Sequence, residues 1–197
     1  MKKNVFAAAA ACILVSGVAL AQQAGEGPWT LYLRAVNLHS VDQDSTGLGL
    51  GVNDKIIPDI SVRYAFDQNF ATELLLTVPQ KHSVRSNGTK IGTLRHLPPT
   101  LLGQYHLNLN GFKPYVGAGI NYTRFSSVRL PTGVSISKNS WGPAFQLGVD
   151  IPLNRNLYLN LDVKKIYLDT NVSAGGTRLG TLNVNPVLFG AGLGWRF

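Results

Sequence analysis

The chain has 197 residues, a length that fits a single domain. Its formal charge is +8 at pH 7, with 18 Lys and Arg against 10 Asp and Glu, and it contains one cysteine, Cys12. The basic residues are scattered and form no basic helix or basic–aromatic stripe, so the composition argues against a nucleic-acid partner. Residues 22–197 contain no run of 18 apolar residues, which excludes a transmembrane helix in that part of the sequence.

The first 21 residues have the pattern of a cleaved secretory signal peptide. Two lysines precede an apolar run from Val5 to Leu20, and the tripeptide Ala19–Ala21 supplies a small-residue cleavage site. A membrane anchor is the alternative, but the run is short and no stop-transfer charge follows it. We therefore predict a mature domain of residues 22–197, whose formal charge falls from +8 to +6 with the two lysines and which has no thiol.

Alternation of apolar with polar or small residues recurs eight times after the signal peptide, which predicts eight β-strands. Each strand has about the 9–11 residues of a tilted barrel strand. Short turns and four long loops alternate between them. The strands are expected at 28–38, 58–66, 70–78, 97–109, 115–123, 141–151, 157–166 and 187–197, and the loops at 39–57, 80–95, 126–139 and 171–180.

This organisation predicts an eight-stranded antiparallel up-and-down transmembrane β-barrel with short periplasmic turns and long extracellular loops. The last strand, VLFGAGLGWRF, sets Phe189, Leu193 and Trp195 on one face and glycines on the other. A soluble lipocalin-type cup is the alternative. It is less favoured because nearly every strand carries a charge or an amide on its less apolar face, and the apolar faces form a large patch if water covers them.

Several segments resemble the OmpW family of small outer-membrane barrels, and the resemblance covers essentially the whole mature chain. They are His96–Leu101, Lys113–Thr123 (KPYVGAGINYT), Ser140–Gly142, Gly148–Asp150 and Gly194–Phe197. The resemblance implies an eight-stranded barrel in the outer membrane of a Gram-negative bacterium and porin-like transport of small hydrophobic molecules, with no enzyme activity and no cofactor. Some family members are receptors for bacterial toxins.

The same reading implies the partners of the protein. They are the lipid bilayer with its lipopolysaccharide, the periplasmic chaperones, and the outer-membrane assembly machinery. We expect Trp195 and the terminal Phe197 to form the signal that the assembly machinery recognises.

The inward-facing residues predict two zones in the lumen. An apolar funnel near the loops consists of Leu38, Leu75, Leu102, Phe125 and Ile166. A charged plug near the turns consists of Arg34, Arg63, Glu73, Asp150, Asp162, Lys164 and Arg196. An eight-stranded barrel is barely wider than its own side chains, so the plug charges are expected to pair with one another.

Two of these positions are constrictions in related barrels, which narrow the lumen with an inward aliphatic residue on the third strand and an inward aromatic residue on the seventh. Leu75 matches the first position, whereas Lys164 stands at the second. We expect Lys164 to pair with Asp162, Glu73 or a loop carboxylate, or to extend toward the surface.

These zones suggest that an apolar ligand enters the funnel from outside and leaves sideways into the membrane. Pro79, Pro98 and Pro99 flank one loop, and prolines remove ladder donors, so the seam between the third and fourth strands is the candidate gate. The prolines are also consistent with simple strand ends, and the charges with stability alone.

Other functions remain open at this point. The barrel could be purely structural or could serve as a toxin or phage receptor. An outer-membrane acyltransferase is a further alternative, with His82 and Ser83 or His96 and Ser86 as its reactive pair. The four histidines have no metal-site spacing, and no cofactor site is expected.

Overall fold

The computed structural model describes residues 27–39, 42–44, 50–52, 55–77, 80–97, 99–129 and 133–197. The expected signal peptide, residues 1–21, lies outside them. No helix in these ranges is long and apolar enough to cross a membrane. The described strands are β1 (Trp29–His39), β2 (Asp42–Asp44), β3 (Leu50–Val52), β4 (Lys55–Ala65), β5 (Phe70–Thr77), β6 (Gln80–Ser86), β7 (Thr89–Leu97), β8 (Thr100–His106), β9 (Lys113–Arg129), β10 (Val134–Ile136), β11 (Asn139–Pro152), β12 (Leu157–Ile166), β13 (Asp169–Ala174), β14 (Thr177–Val184) and β15 (Val187–Arg196).

Eight of these strands close into an antiparallel barrel. Their order is β11-β12-β15-β1-β4-β5-β8-β9, and β9 pairs with β11 to complete the ring. The last strand seals the barrel against the first, with Arg196 opposite Thr30 and Val187 opposite His39. The Phe197 N–H extends this ladder by donating to the Trp29 carbonyl at 2.9 Å. The predicted up-and-down barrel of eight strands is therefore confirmed.

The barrel has an apolar exterior and a polar or charged interior over much of its height. Outward Leu33, Ile120 and Leu147 are 51%, 54% and 62% exposed, whereas inward Asp59 and Glu73 are buried. Leucine, isoleucine and phenylalanine side chains at this exposure are stable only where lipid covers them. The lipocalin-type alternative, which needs apolar side chains inside, is wrong.

Aromatic side chains concentrate on the outside of the turn end. Trp29 and Tyr64 make an edge-to-face pair with ring centroids 4.7 Å apart, and Phe70 and Tyr105 pair at 5.2 Å. Such amphipathic rings favour the boundary between lipid tails and head groups. A second group of outward aromatic side chains lies nearer the loops, where the ring centroids of Tyr122 and Trp141 are 4.6 Å apart. The lipid-facing band lies between these two groups.

Two of the short turns are stabilised by the same pattern of hydrogen bonds from backbone N–H groups to a side-chain oxygen. The Asp67 carboxylate accepts hydrogen bonds from the N–H groups of Asn69 and Phe70, both at 2.7 Å. These backbone donors hold the pKa of Asp67 below its usual value. The Asn154 side-chain oxygen accepts from Asn156 and Leu157 in the same way, at 2.9 and 2.8 Å. Asx residues favour such turns, and this chemistry makes the turns readable from the sequence.

The segments predicted as loops differ from expectation, because much of their length forms β-strands. β6 and β7 form a hairpin, as do β13 and β14. The turn between β6 and β7 is Asn87-Gly88, with φ of 47° and 81°, which is the conformation that this dipeptide favours. β7 then pairs with the upper part of β9. The alternation pattern predicts loops at 80–95 and 171–180 because these hairpins have no continuous apolar face.

Two strand boundaries also differ from expectation. The fourth barrel strand, β8, spans only Thr100–His106, and a turn closed by an isolated bridge between Leu109 and Phe112 follows it. The fifth, β9, continues to Arg129, well beyond its expected end at residue 123. The extension is stabilised by pairing with β7, a partner that the alternation pattern of β9 alone does not reveal.

One glycine on β11 makes room for a large side chain inside the barrel. A Cβ atom at Gly148 clashes with the Tyr115 ring and lies 2.9 Å from the Asp162 Cβ. At outward Gly103 the nearest atom to an added Cβ is the Ala118 carbonyl oxygen, 3.8 Å away. The two glycines thus differ in the space around them.

We expect Gly148→Ala to destabilise the barrel by about 1–3 kcal/mol, because overpacking forces Tyr115 out of its position. Gly103→Ala is the matched control and should leave stability nearly unchanged. Urea unfolding in lipid vesicles measures both. Equal midpoints for the two variants would contradict this account of Gly148.

Candidate functional site

The lumen has three tiers. Most barrel strands place inward-facing side chains in each tier, in the same order from the turns to the loops. On β1, Tyr32 stands nearest the turns, Arg34 follows, and Val36 and Leu38 come nearest the loops. β8 repeats the order with His106, Gln104 and Leu102. All of these side chains are buried. The tiers are a cavity at the turn end, a network of charged groups, and an apolar cluster at the loop end.

Arg34 is the centre of the charged tier. Its Nη1 donates to Asp59 at 3.2 Å, to Ser61 at 2.7 Å and to Glu73 at 2.9 Å. Its Nε donates to the Asn160 side-chain oxygen at 2.5 Å. The side chain is fully buried, as are those of its carboxylate partners to within 1%. One guanidinium therefore joins β1 to β4, β5 and β12 across the lumen.

A second group of contacts surrounds Asp150, nearer the turns. This carboxylate accepts from the Tyr32 hydroxyl at 2.9 Å and from Arg63, and its other oxygen accepts from Asn160 at 2.7 Å. The Arg63 guanidinium lies between two aromatic rings, 4.5 Å from the centroid of Tyr32 and 4.7 Å from that of Tyr115. Stacking and ion pairing together hold Arg63 in one position.

Amide side chains connect the two groups into one network. Gln104 donates to Glu73 at 2.5 Å and to Gln146 at 2.7 Å, and Gln146 donates to Asp162 at 2.9 Å. Lys164 donates to Asp162, the pairing expected from the sequence, and lies 3.9 Å from Asp59. Every barrel strand except β15 contributes a side chain to this ion network.

β15 instead has glycines at inward positions, which leave space for side chains of the other strands. A Cβ atom at Gly190 clashes with the Asp162 Oδ1 and lies 3.4 Å from the Arg34 Cδ. A Cβ at Gly194 clashes with the Tyr32 ring. The inward glycines of the last strand are therefore necessary for the network, because the lumen has no volume for further side chains at this level.

The ionised groups of this network do not balance. Three cations, Arg34, Arg63 and Lys164, face four carboxylates, so their formal charges sum to −1. The carboxylates are Asp59, Glu73, Asp150 and Asp162. One oxygen of Asp59 and one of Asp162 have no hydrogen-bond partner among the described residues. Loss of a cation thus worsens an existing imbalance, whereas loss of a carboxylate relieves it.

Above the network, apolar side chains pack into one cluster. Leu38, Leu102, Phe125 and Ile166 belong to it, as four of the five expected funnel residues. Ile91, Val134 and Ile136 of the loop strands β7 and β10 pack against it from above. The fifth funnel residue, Leu75, is buried but lies outside this cluster and pairs with Thr100. Four of the five expected funnel residues therefore belong to one cluster, which loop residues cover.

One side of the upper lumen is polar. The Asn121 amide donates to Thr100 at 2.8 Å and accepts from Thr123 at 2.7 Å. All three are buried, on β8 and β9. Alternation places these residues inward, but it does not reveal that Asn121 on β9 reaches Thr100 on β8.

At the turn end, the lumen opens into a cavity of about 690 Å³. Its walls include Tyr32, Arg63, His106, Lys113 and Asp150. Arg196 also lies here, with its Nε donating to the Gly27 carbonyl at 2.7 Å. The expectation that Arg196 joins the other plug charges is therefore wrong: it belongs to the last residue pair of the barrel, below the network.

The candidate gate is only partly described. Pro79 and Pro98 lie outside the described residues. The Pro99 carbonyl accepts from the Tyr122 N–H at 3.0 Å and from the Asn121 amide at 3.3 Å, so it faces β9. The N and O atoms of a residue in an antiparallel strand point to the same side, so the donor that Pro99 lacks is missing on the β9 side. This geometry does not place the effect of Pro99 at the seam with β5.

The network members outside the expected plug include Asp59, Ser61, Tyr32 and Tyr115. Alternation alone places all four inside the barrel, and that signal was sufficient to find them. Ser61 and the tyrosines carry no formal charge, so a search for ionised pairs overlooks them. Asp59 is a simple omission, since it precedes Arg63 on the same face of the same strand.

No other chemical site emerges from the described residues. They contain no group of three or more His, Cys, Asp or Glu residues able to hold a metal ion. In the β6–β7 hairpin, His96 pairs with Gln80 and Ser86 with Thr89, so these two backbone positions lie at opposite ends. The structure does not bring together His96 and Ser86 as a reactive pair.

A closed antiparallel barrel with a lipid-facing apolar exterior is an integral outer-membrane protein. The model of the OmpW family matches residues 34–197, and the chain belongs to this family. Outer membrane protein W of Escherichia coli K12 is 34% identical to it, over 100% of both chains. These matches place the protein in the outer membrane of a Gram-negative bacterium.

Two further comparisons concern more distant proteins. The crystal structure of the outer membrane protein OprG from Pseudomonas aeruginosa has a TM-score of 0.75 at 27% identity, covering 89% of this chain and 98% of that chain. A protein of Pseudomonas aeruginosa named dibenzothiophene metabolism operon protein PahQ is 27% identical, over 76% of this chain and 78% of its own. OprG is named as an outer-membrane protein, and PahQ is named for its operon.

We expect Arg34→Gln to lower the free energy of unfolding by about 3–5 kcal/mol, because it leaves buried carboxylates without their cation. Asp59→Asn is the matched control: it also removes one charge, but a negative one, from a network that already carries a net −1. Urea unfolding in lipid vesicles should show the larger loss for Arg34→Gln. An equal or larger loss for Asp59→Asn would contradict the charge balance given above.

Proposed function

We propose that the barrel admits small hydrophobic molecules from outside the cell into its upper lumen and releases them sideways into the outer membrane. The observation that carries the proposal is the position of the apolar cluster directly above the ion network. An apolar ligand finds a matching environment among Leu38, Leu102, Phe125 and Ile166. The relative PahQ is named for an operon of dibenzothiophene metabolism, and dibenzothiophene is an apolar aromatic compound of this class.

Direct passage to the periplasm is disfavoured by the ion network. A ligand that moves straight down the lumen has to separate Arg34 from Glu73 and Asp59, whose side chains are fully buried. Breaking a buried ion pair costs about 3–5 kcal/mol, and an apolar molecule offers no replacement partner. The lower-energy route is the one that leaves the network intact.

The seam between β5 and β8 is the proposed exit. Its pairing runs only from Phe70–Tyr105 to Leu75–Thr100, the shortest of the eight barrel junctions among the described residues. Above it, Leu76 pairs with Ile60 of β4 and has no partner on β8 within the described residues. A short ladder is easier to part than a long one, since fewer hydrogen bonds must break. Pro79 and Pro98 belong to this proposal, because both come next to the seam in sequence.

Entry requires movement of the loop strands. Ile91, Val134 and Ile136 pack against the apolar cluster from above. They belong to β7 and β10, outside the barrel wall, where small displacements leave the eight-stranded ring intact. A ligand therefore replaces loop side chains of the same apolar character when it enters.

A receptor or purely structural role is the second candidate. The packed apolar cluster and the paired hairpins β6–β7 and β13–β14 favour it, because the described loop residues form a β-structured outer surface above the barrel. In that case a toxin or phage binds the hairpins, and binding persists when the lumen is blocked. Lipopolysaccharide around the barrel and recognition of Phe197 by the assembly machinery are proposals that both candidates share.

A reversible disulfide across the seam tests the transport proposal. Leu74 and Leu101 are directly opposite on β5 and β8 and face the lipid, so cysteines there can cross-link. The mature sequence has no other cysteine, since Cys12 precedes the expected cleavage site. We expect oxidation to slow uptake of an apolar fluorescent probe by intact cells at least several-fold and reduction to restore it.

The matched control is a second disulfide, at Leu147 and Val163, which are opposite each other on β11 and β12. It should leave uptake unchanged. Uptake that is equal before and after oxidation of the β5–β8 pair would exclude this exit. If Leu75→Asp also leaves uptake of the folded barrel unchanged, the upper lumen is not the route, and the receptor role is favoured.

A further inference from the structure

The cavity at the turn end has a chemical character that the transport of apolar molecules does not use. Three cationic side chains line it, those of Arg63, Lys113 and Arg196. It also contains the Tyr158 hydroxyl and the His106 ring. The turns lie on one side of the cavity. The ion network lies on the other side, with the apolar cluster beyond it. This cavity is therefore a separate chemical environment from the upper lumen.

Arg63 lines the inner part of the cavity and is held in one position. It is only 5% exposed, and its two aromatic neighbours fix the plane of its guanidinium. Nη1 donates to Asp150, whereas Nε and Nη2 have no hydrogen-bond partner among the described residues. Nη2 lies 3.6 Å from Glu73, close enough for electrostatic attraction but not for a hydrogen bond. These two nitrogens are buried and Nη2 faces Glu73, so what Arg63 contributes to the cavity is its fixed positive charge.

Lys113 and Arg196 add two more cations at the same end. The Lys113 Nζ lies 5.8 Å from the centroid of the Tyr158 ring, and neither Lys113 nor Arg196 forms an ion pair with a described residue. Arg196 uses Nε for the Gly27 carbonyl, so its two Nη groups remain for another partner. Both side chains thus have donors directed to no carboxylate among the described residues.

The acidic residues of the cavity are already occupied. Asp150 accepts from Tyr32, Arg63 and Asn160 through both of its oxygens. Asp67 accepts from two backbone N–H groups of its own turn. Both carboxylates accept hydrogen bonds within the chain, Asp67 through Oδ1 alone, and a lining of three cations and two carboxylates keeps a formal charge of +1. Carboxylates and phosphates are the ligands that such donors recognise best.

The geometry points to a binding site for a small oxyanion, a carboxylate or phosphate compound, that reaches the cavity from the periplasm. The volume of about 690 Å³ is that of a small-molecule pocket. Pro28, Gln68 and Asn108 at its rim belong to the turn end, which faces the periplasm. This inference does not rest on the proposed transport of hydrophobic molecules, since the ion network lies between the two zones.

Titration of the folded barrel with two probes tests the site. Inorganic phosphate and succinate are added separately to protein in nanodiscs of zwitterionic lipid, so that no lipid phosphate with net negative charge competes. Binding is followed by the NMR signals of the arginine Nε–H groups. We expect saturable shifts of the Arg63 and Arg196 signals, and whichever probe binds more tightly identifies the source as a phosphate or a carboxylate compound.

Variants separate the cavity from the protein surface. Lys113→Gln and Arg196→Gln should each weaken binding about tenfold, the effect of losing one charge-assisted hydrogen bond. Lys90→Gln, which removes an exposed cation from the outer β6–β7 hairpin, should leave it unchanged. Retained heat-modifiable migration in electrophoresis shows that each variant is folded.

Two results would overturn the inference. The first is a set of shifts that never saturate and that respond to ionic strength equally in all variants, which indicates non-specific screening. The second is saturable binding that Lys90→Gln weakens as much as Lys113→Gln does. Loss of uptake in the disulfide experiment has no bearing on either outcome, so failure of the transport proposal and failure of this site are distinguishable.

Discussion

The fold depends on burial of the Arg34 guanidinium among three carboxylates at the centre of the barrel. A charge at this depth is tolerable only if its partners surround it, and Asp59, Glu73 and Asp162 do so from three other strands. These contacts connect strands that are far apart in the sequence. They therefore fix the register of the barrel from the inside, while the outward apolar side chains of the same strands contact the lipid.

The last strand shows what this arrangement demands of the rest of the chain. β15 has a lipid-facing side with Phe189, Leu193 and Trp195, yet its lumen side contains glycine at three alternate positions. Those glycines leave the volume that Arg34, Tyr32 and Asp162 fill. The strand that seals the barrel thus has apolar side chains facing the lipid and almost no side chains facing the lumen. Its inward glycines accommodate the network that the other seven strands form.

Much of the barrel is predictable from the sequence, because lipid outside and packed side chains inside impose strict alternation. That rule gave the eight strands and the inward position of every charged residue in the network. It could not give the partners, since the Arg34–Asn160 contact joins residues 126 positions apart. It also missed the loop hairpins, whose faces are both largely polar, and misassigned Arg196, whose partner is a backbone carbonyl that alternation cannot reveal.

The central claim is that the ion network divides the lumen into two compartments. Two alanines on opposite sides of it, Ala71 at the cavity and Ala144 in the apolar cluster, test this when each is replaced by cysteine. A water-soluble, membrane-impermeant maleimide is added from the periplasmic side of oriented vesicles. We expect rapid labelling of Ala71→Cys and none of Ala144→Cys. Labelling of both at similar rates would show a continuous aqueous lumen and would contradict a division of the lumen by the ion network.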